Sequence, residues 1–312
     1  NHMCSINFIY NNSNPKKLNE EIQNMTSSTK YRGPDDTQCI VKNNCAFGFN
    51  LLEIIGGSQP IYDKNKNLIL ICNGEVFNHT ELKNSYFPND KFLTKSDVEI
   101  ILHLYRKIGV ECLKYLEGQF SFLLFDLDNK KILIARDKFG INPLFYHRQD
   151  NVFIASSEIK SIIATNEIKN LRLNKTAIAQ NMFFYGALSP HTCFSDIFQL
   201  PPASFGIYDL LTDTISIKSY YHLKTKISKG NKKQLEKELK EILTKSVRKR
   251  LQGNSVPGVY LSGGLDSSII AYLVSKLSKK SKLFSIGFEN PQLDESKYQL
   301  LLIIGINYSI YY

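Results

Sequence analysis

The sequence contains one stretch whose residue types and order suit it to bind a phosphate group. It reads Ser262-Gly263-Gly264-Leu265-Asp266-Ser267-Ser268. Two glycines let backbone N–H groups approach an anion, and a helix that begins there directs its positive end toward the same anion. The serine hydroxyls add donors, and Asp266 is suited to hold Mg²⁺ against phosphates. The stretch lacks the Gly-Lys-Ser/Thr ending of a Walker motif. A predicted strand followed in strict succession by Ser-Gly-Gly, Asp and Ser-Ser favours a different phosphate-binding loop over a serine-rich helix cap.

A second candidate for chemistry is Cys4, at the other end of the sequence. A cysteine that begins a mature protein is a self-sufficient nucleophile, because its own α-amino group can accept the thiol proton and later donate it to departing ammonia. We interpret Asn1-His2-Met3 as a cloning remnant and an initiator methionine, which makes Cys4 the expected first residue of the mature protein. An early cysteine is more often only a cysteine, so this hypothesis depends on the motifs that accompany it.

The elements predicted around the phosphate loop form a βαβ unit. A strand is predicted over 258–261, a helix over 267–277 and a second strand over 283–288. A polar connector over about 209–230 and an amphipathic helix over 232–251 precede them. Strand, loop, helix and strand in this order begin a parallel sheet.

The N-terminal part, from Cys4 to about Tyr208, consists mostly of short β-type runs separated by turn residues. Helical periodicity occurs over 18–25 and over 96–108. This composition predicts an α+β domain with largely antiparallel strands. The strands are predicted over 5–9, 45–55, 67–72, 120–125, 131–136, 144–146 and 151–155.

Composition and charge exclude several classes of protein. Of the 312 residues, 43% are hydrophobic and 22% are charged, so the protein can bury a core. No apolar run approaches the roughly 18 residues of a membrane span, and no secretory signal pattern is found. Six cysteines without paired spacing argue against a disulfide framework and predict a cytoplasmic location. The net charge of +10 comes mostly from dispersed lysines, so no nucleic-acid or membrane partner is expected.

A series of motifs accompanies Cys4 and the phosphate loop in a fixed order. The series resembles the class II glutamine amidotransferase domain, and the loop resembles the pyrophosphate loop of ATP pyrophosphatases. Together they are similar to the glutamine-hydrolysing asparagine synthetase family from Cys4 to about Lys297. The motifs are Arg32-Gly33-Pro34-Asp35, Asn73-Gly74-Glu75-Val76-Phe77-Asn78, Ser96-Asp97-Val98-Glu99, Ala135-Arg136-Asp137-Lys138-Phe139-Gly140 with Pro143-Leu144, Ala155-Ser156-Ser157-Glu158-Ile159-Lys160 and Phe284-Ser285-Ile286-Gly287-Phe288.

The resemblance implies a fold and a domain organisation. It implies an α+β N-terminal-nucleophile hydrolase domain, an αββα sandwich, over residues 4–208. A linker over 209–230 would follow, and residues 231–312 would begin an α/β parallel-sheet ATP-pyrophosphatase domain that is cut short at its C-terminus. The implied activity is ATP-dependent amidation of aspartate to asparagine with ammonia from glutamine, and a homodimer is plausible.

The resemblance also implies roles for residues of the glutaminase domain. Cys4 would attack the glutamine side-chain amide, and Asn73 and Gly74 would form the oxyanion hole. Glu75 and Asp97 would bind the α-ammonium, and the backbone of Ile54 and Ile55 would line the same site. Taken alone, Asn-Gly is a common hairpin turn and Asp97 a common helix cap, so each of these readings stays open at this point.

The second site would bind ATP and Mg²⁺. The residues that the resemblance assigns to ATP are Leu261, Ser262, Gly263, Gly264, Leu265, Asp266, Ser267, Ser268 and Ile286, with Asp266 also assigned to the metal. Adenylation would activate the aspartate carboxylate and release pyrophosphate. Ammonia would then reach this site from the glutaminase domain within the protein.

The sequence departs from the family at one position that bears on glutamine binding. The arginine with which the family clamps the glutamine α-carboxylate falls on Leu51 here. We therefore expect weak or absent glutaminase activity, with a loss of binding on the order of 2–4 kcal/mol. With Asn1-His2-Met3 attached, the nitrogen of Cys4 is an amide and cannot act as a base.

Two alternatives remain. The protein could be a related amidotransferase that acts on another carboxylate, such as a sugar acid, or a relative that closes rings and does not use glutamine. It could also be an inactive relative kept as a regulatory or binding module. Leu51 favours the first alternative, whereas the retained Cys4, Asn73, Gly74, Glu75 and Asp97 argue against it.

Overall fold

The computed structural model describes residues 3–53, 57–225, 227, 230–252, 256–290, 292, 294–306 and 310–311. The protein divides into two compact units, Asn1–Lys224 and Thr225–Tyr312, which we call unit 1 and unit 2. The strands are β1 (Ser5–Asn11), β2 (Asp36–Lys42), β3 (Cys45–Leu51), β4 (Ile61–Tyr62), β5 (Leu68–Val76), β6 (Gly118–Asp126), β7 (Lys131–Arg136), β8 (Phe145–Gln149), β9 (Val152–Ser156), β10 (Phe198–Gln199), β11 (Ser204–Asp209), β12 (Thr214–Ser219), β13 (Gly258–Tyr260), β14 (Lys282–Phe284) and β15 (Ile310–Tyr311). The α-helices are α1 (Leu18–Thr29), α2 (His79–Tyr86), α3 (Ile100–Ile108), α4 (Ile159–Ile163), α5 (Lys175–Phe184), α6 (Lys232–Arg250), α7 (Leu265–Leu277) and α8 (Ser296–Ile306).

The described residues of unit 1 form two antiparallel sheets. The strand order is β10-β8-β9-β1-β3-β2 in the first sheet and β12-β11-β7-β6-β5-β4 in the second. In the first, β1 lies between β9 and β3, and in the second, β5 pairs along its whole length with β6. Cys4 directly precedes β1, and Asn73 and Gly74 lie on β5, so two inner strands position the first candidate site.

Apolar clusters hold the layers of unit 1 together. Successive residues of a strand direct their side chains to opposite faces, so Phe8 packs between the two sheets and Ile9 packs against α1. On β5, Ile71 likewise faces the first sheet, whereas Cys72 belongs to the cluster formed with α2 and α3. The order of layers is therefore helix, sheet, sheet, helix, which confirms the predicted αββα sandwich.

Most predicted elements of unit 1 are present, but several ends differ. β5 continues to Val76 rather than ending at residue 72, because its pairing with β6 extends to Gly118. β3 ends at Leu51 rather than at residue 55. The connector predicted over 209–230 contains β12, which pairs with β11 in the second sheet. The boundaries at residues 208 and 231 stay a prediction.

Unit 2 contains a parallel sheet in the order β13-β14-β15, with α6, α7 and α8. β13 and β14 pair in parallel and flank α7 in sequence, which confirms the predicted βαβ unit. The second strand of that unit is shorter than predicted: β14 ends at Phe284, and residues 285–288 are irregular. Across the described part of the sequence, no helix is both long enough and apolar enough to cross a membrane.

Candidate active site

Cys4 lies immediately before β1 and is half-buried at the edge of a pocket. Its Sγ accepts a hydrogen bond from the Leu52 N–H (3.3 Å). Burial raises the pKa of the Cys4 thiol, and the Leu52 N–H and the Arg32 guanidinium oppose that rise. Such a thiol needs a base to become a nucleophile. A free α-amino group at Cys4 could be that base, but here Met3 precedes it, and the Met3 N–H donates to the Arg32 carbonyl (2.9 Å).

Arg32 supports Cys4 through the backbone. Its Nε donates to the Cys4 carbonyl oxygen (3.2 Å), and its Nη1 donates to the Glu158 carboxylate (2.9 Å). Glu158 also accepts a hydrogen bond from the Tyr31 hydroxyl. Burial opposes ionisation of Glu158, but the hydrogen bonds from Tyr31 and Arg32 outweigh it and hold the pKa of this carboxyl below its usual range. The motif that begins at Arg32 and the motif that contains Glu158, which are distant in sequence, therefore meet beside Cys4.

Asn73 and Gly74 lie within β5, so the hairpin-turn reading of this pair is wrong. Gly74 has a φ of +136°, and a Cβ there would lie 2.0 Å from the Gln119 carbonyl oxygen, so only glycine fits. The Asn73 residue is 2% exposed, and its Nδ2 has no hydrogen-bond partner among the described residues. A buried donor without a partner costs free energy, and a ligand oxygen would satisfy it.

The loop after β7 supports this part of β5. The Asp137 carboxylate accepts backbone hydrogen bonds from the loop and from β6. The Arg136 guanidinium donates to three backbone carbonyl oxygens, two of them in the same loop. Within this frame, Asn142 Nδ2 donates to the carbonyl oxygens of Asn73 (2.9 Å) and Gln119 (3.1 Å). Asn142 thereby joins β5 to β6 where Gly74 leaves room.

Glu75 and Asp97 bring two carboxylates to the same pocket. Asp97 is 5% exposed and accepts a hydrogen bond from the Val76 N–H (2.6 Å), which attaches residue 97 to β5. Burial raises the pKa of both carboxyl groups. The charge of Asp97 raises the pKa of Glu75 further, whereas the Val76 N–H and His79 lower that of Asp97. Two carboxylates in a half-buried pocket attract a cation.

One pocket brings these residues together. Cys4, Asn73, Gly74, Glu75 and Asp97, which come from three separate segments, all line it. A thiol, an amide donor without a partner among the described residues and two carboxylates in one pocket can attack, stabilise and orient an amide that carries an ammonium group. Ile54 and Ile55, which sequence analysis also assigns to this site, lie outside the described residues.

Sequence analysis missed three polar residues that also line the pocket. Asn142 lies in the gap between the motif that ends at Gly140 and the Pro143-Leu144 pair that accompanies it. The side-chain amide of Gln59 accepts a hydrogen bond from the Cys72 N–H and donates one to the Cys72 carbonyl oxygen, as the backbone of a neighbouring strand would. Gln119 contributes a backbone carbonyl. No local pattern identifies Gln59 or Gln119, because their partners are distant in sequence.

The second candidate site lies in unit 2, at the carboxyl ends of β13 and β14. Gly263 has a φ of +94°, which turns the backbone sharply between β13 and α7. The Ser262 and Ser267 hydroxyls lie 3.0 Å apart across the turn. α7 begins at Leu265, directly after the glycines, and its N-cap residue is Gly264, which has no side chain to accept a hydrogen bond. The first N–H groups of α7 therefore find no side-chain acceptor on the N-cap residue, and such groups can donate to an anion.

The remaining residues of this site surround the turn. Ser285 Oγ donates to the Leu261 carbonyl oxygen (2.7 Å), which holds the two strand ends together. Gln299, which sequence analysis missed, is 1% exposed and donates to the carbonyl oxygens of Ser262 (3.3 Å) and Ile286 (3.4 Å). Leu265, Ser267 and Ser268 belong to α7 itself. The residues predicted to bind ATP thus lie in one continuous region of unit 2.

Asp266 fits Mg²⁺ only together with phosphate oxygens. It is exposed in the first turn of α7. No group of three His, Cys, Asp or Glu residues within the described ranges could hold a metal ion alone. Mg²⁺ is commonly held by one or two carboxylates and by substrate phosphates, so one carboxylate beside an anion-binding turn is chemically suited to it.

Two family profiles match the sequence. Residues 3–221 match the profile described as the glutamine amidotransferase domain, and residues 238–303 match that of asparagine synthase. The first match covers the residues of the pocket around Cys4. The second covers the turn at Gly263 and all of α7.

Named relatives are glutamine-hydrolysing asparagine synthetases, which confirms the resemblance. The protein is 34% identical to a putative glutamine-hydrolysing asparagine synthetase of Methanocaldococcus jannaschii, over 96% of this chain and 62% of the relative. It is 30% identical to asparagine synthetase B of Escherichia coli K12, over 89% of this chain and 46% of the relative. It thus spans about half the length of the curated relatives that it matches.

The structure also resembles glutamine phosphoribosylpyrophosphate amidotransferase from B. subtilis. The TM-score is 0.52 at 16% identity, over 89% of this chain and 65% of that protein. A likeness at this identity concerns the fold alone. It confirms that the αββα sandwich has the fold of an N-terminal-nucleophile amidotransferase.

Proposed function

Because this chain belongs to the glutamine amidotransferase family, we propose that unit 1 hydrolyses the side-chain amide of glutamine and that the released ammonia serves asparagine synthesis. In this proposal, residues 4–208 are the glutaminase domain, 209–230 the linker and 231–312 the beginning of the ATP-pyrophosphatase domain. The observation that carries the proposal is the shared pocket of Cys4, Asn73, Gly74, Glu75 and Asp97.

Cys4 is the nucleophile of the proposed hydrolysis. Once the residues before it are removed, its α-amino group takes the thiol proton, and the thiolate attacks the amide carbon. The same group then delivers the proton to the departing ammonia, which leaves a thioester on Sγ. Water hydrolyses the thioester to glutamate and restores the thiol. Met3 itself lines the pocket, so its removal both frees the base and enlarges the site.

The walls of the pocket stabilise and orient the substrate. The Asn73 amide and the Gly74 N–H donate to the oxyanion of the tetrahedral intermediate, and each such donor typically contributes a few kcal/mol. The Asn73 Nδ2, which has no hydrogen-bond partner in the part of the chain that the structure describes, supports this role. Glu75 and Asp97 bind the substrate ammonium.

The second reaction takes place at the turn of unit 2. ATP binds at Leu261–Ser268 and Ile286, the β-carboxylate of aspartate attacks the α-phosphorus, and pyrophosphate leaves. Ammonia then displaces AMP from the acyl adenylate and forms asparagine. Asp266 would hold Mg²⁺, which supplies charge neutralisation for the pyrophosphate. The N-terminus of α7, whose N-cap is a glycine, supports an anionic ligand at this turn.

The decisive experiment measures glutamate and ammonia from glutamine with a protein that begins at Cys4. Because Leu51 stands where the family has an arginine, we expect weak release that needs a high glutamine concentration. The Cys4→Ala variant should abolish it and the Cys193→Ala variant should leave it unchanged, because Cys193 is a half-buried cysteine outside the pocket. Release that survives in Cys4→Ala, or no release at any glutamine concentration, would contradict the proposal. A cytoplasmic location, a homodimer and the absence of nucleic-acid and membrane partners stay predictions.

A further inference from the structure

The pocket around Cys4 has an unbalanced charge. Among its described lining residues, Glu75 and Asp97 are the ionisable acids, and none is a lysine, arginine or histidine. The wall nearest the end of β3 is apolar, formed by Leu51 and Leu52. The described lining of this pocket therefore presents two acids and no cation to a substrate.

Two cations near the pocket do not line it. Arg32 is 6% exposed, its Nε and Nη1 donate to the Cys4 carbonyl oxygen and to Glu158, and its Nη2 is buried without a hydrogen-bond partner among the described residues. His79 lies near Asp97, but its Nδ1 is 3.0 Å from the Val76 carbonyl oxygen and its Nε2 is 3.1 Å from the Thr80 hydroxyl. Neither residue lines the pocket.

The excess of negative charge in the pocket affects the α-ammonium and the α-carboxylate of glutamine in opposite ways. Its α-ammonium gains from both acids, whereas its α-carboxylate meets two like charges and an apolar wall. The raised pKa of Glu75, caused by burial and by the charge of Asp97, reflects the same excess of negative charge. A substrate that keeps the ammonium and lacks the carboxylate suits this site better than glutamine does.

We propose that the pocket selects glutamine whose α-carboxylate is masked as an amide, as in an N-terminal glutaminyl residue, with Leu51 as the specificity-determining residue. The inference rests on the proposed hydrolysis at Cys4 and names its substrate class. The reaction itself is unchanged: the C–N bond of the glutamine δ-amide breaks, ammonia leaves, and water resolves the thioester. Leu51 presents a neutral wall, and the carboxamide that replaces the carboxylate carries no charge.

The test compares L-glutamine with its α-N-methylamide, from which ammonia is released only at the δ-amide. With the protein that begins at Cys4, we expect kcat/KM for the methylamide to exceed that for glutamine by at least about tenfold. A ratio of one, or a preference for glutamine, would overturn the proposal. Substitution Leu51→Arg adds a cation to the wall and should lower the ratio by at least about tenfold. The matched control is Leu211→Arg, at a residue that is 71% exposed and outside the pocket, and it should leave the ratio unchanged.

A second measurement separates failure of the substrate class from failure of hydrolysis. Diazoketone analogues of the two substrates alkylate a reactive cysteine without turnover, and mass spectrometry locates the adduct. Faster alkylation of Cys4 by the masked analogue supports the proposed selectivity even if no ammonia is released, in which case only the hydrolysis fails. Faster alkylation by the free carboxylate, equal rates or no adduct on Cys4 would overturn it. If Leu51→Arg does not fold, Leu51→Lys serves the same comparison.

Discussion

Glu75 and Asp97 face one pocket as carboxyl groups whose pKa values are raised, chiefly by burial. In the proposed function they bind the substrate ammonium, and they do so only when ionised. As the pH falls through these raised pKa values the carboxylates take up protons, so KM for the amide substrate should rise at a higher pH than ordinary carboxylates would cause.

The substitution Asp97→Asn tests this pairing. It removes one charge, so we expect KM to rise about 10- to 100-fold at neutral pH. It also removes the repulsion that raises the pKa of Glu75, so the acid-side rise in KM should move to lower pH. Activity measured between about pH 5 and pH 8 checks both effects. The exposed Glu20 on α1 provides the control Glu20→Gln, and a pH profile of Asp97→Asn that matches this control would contradict the assignment.

Asn73 and Asn142 are two buried asparagines with opposite expected roles. Asn73→Ala removes a donor that is unpartnered among the described residues, so kcat should fall about 10²- to 10³-fold while the thermal unfolding midpoint stays unchanged. Asn142→Ala removes hydrogen bonds to two buried carbonyl oxygens and should lower the free energy of unfolding by about 1–3 kcal/mol. Kinetics and thermal unfolding of both variants separate the roles. A lowered midpoint in Asn73→Ala would show that its amide is structural.

At the scale of the element, residues 73–76 lie on β5, and the backbone of β6 passes close to this segment at Gly74 and at Gly118. Gly74→Ala adds a Cβ 2.0 Å from the Gln119 carbonyl oxygen at a φ of +136°, so we expect it to lower the free energy of unfolding by at least about 3 kcal/mol. Gly186→Ala is the control, because nothing lies within 4 Å of its added Cβ. Chemical denaturation of both variants measures the difference. If the two variants were equally stable, β5 and β6 would be able to move apart and accommodate the added Cβ at little cost in free energy.

The elements were more predictable than their ends and their supporting contacts. Short β-type runs predicted β1, β6 and β7, and each of these strands is buried on both faces by neighbouring layers. The end of β5 could not be predicted, since it depends on pairing with β6, which is distant in sequence. The same holds for Gln59, whose amide acts as a strand partner for Cys72. Motif order could indicate Cys4 and Asp97, whereas only the folded backbone brings them to one pocket.

At the scale of the whole molecule, the two units differ in how much they bury. Unit 1 has apolar clusters on three levels of its sandwich, between the sheets and under the helices of both faces. Unit 2 has a smaller cluster around short parallel strands. Because stabilisation grows with the apolar area removed from water, unit 1 should be the more stable of the two. Its buried strands should retain backbone protection when unit 2 has already opened.

Matched core substitutions test this difference in stability. Ile71 on β5 and Leu283 on β14 are both fully buried, and truncation of either to alanine should cost about 2–5 kcal/mol. Leu283→Ala should accelerate hydrogen exchange over 258–284 and leave 5–11 and 68–76 unchanged, because the lost contacts lie within the cluster of unit 2. Ile71→Ala should accelerate exchange in β1, β5 and β6, which contribute residues to its cluster. If Leu283→Ala accelerated exchange in β1 and β5 as much as in α7, the two units would unfold as one cooperative body, and the stability of the pocket around Cys4 would depend on unit 2.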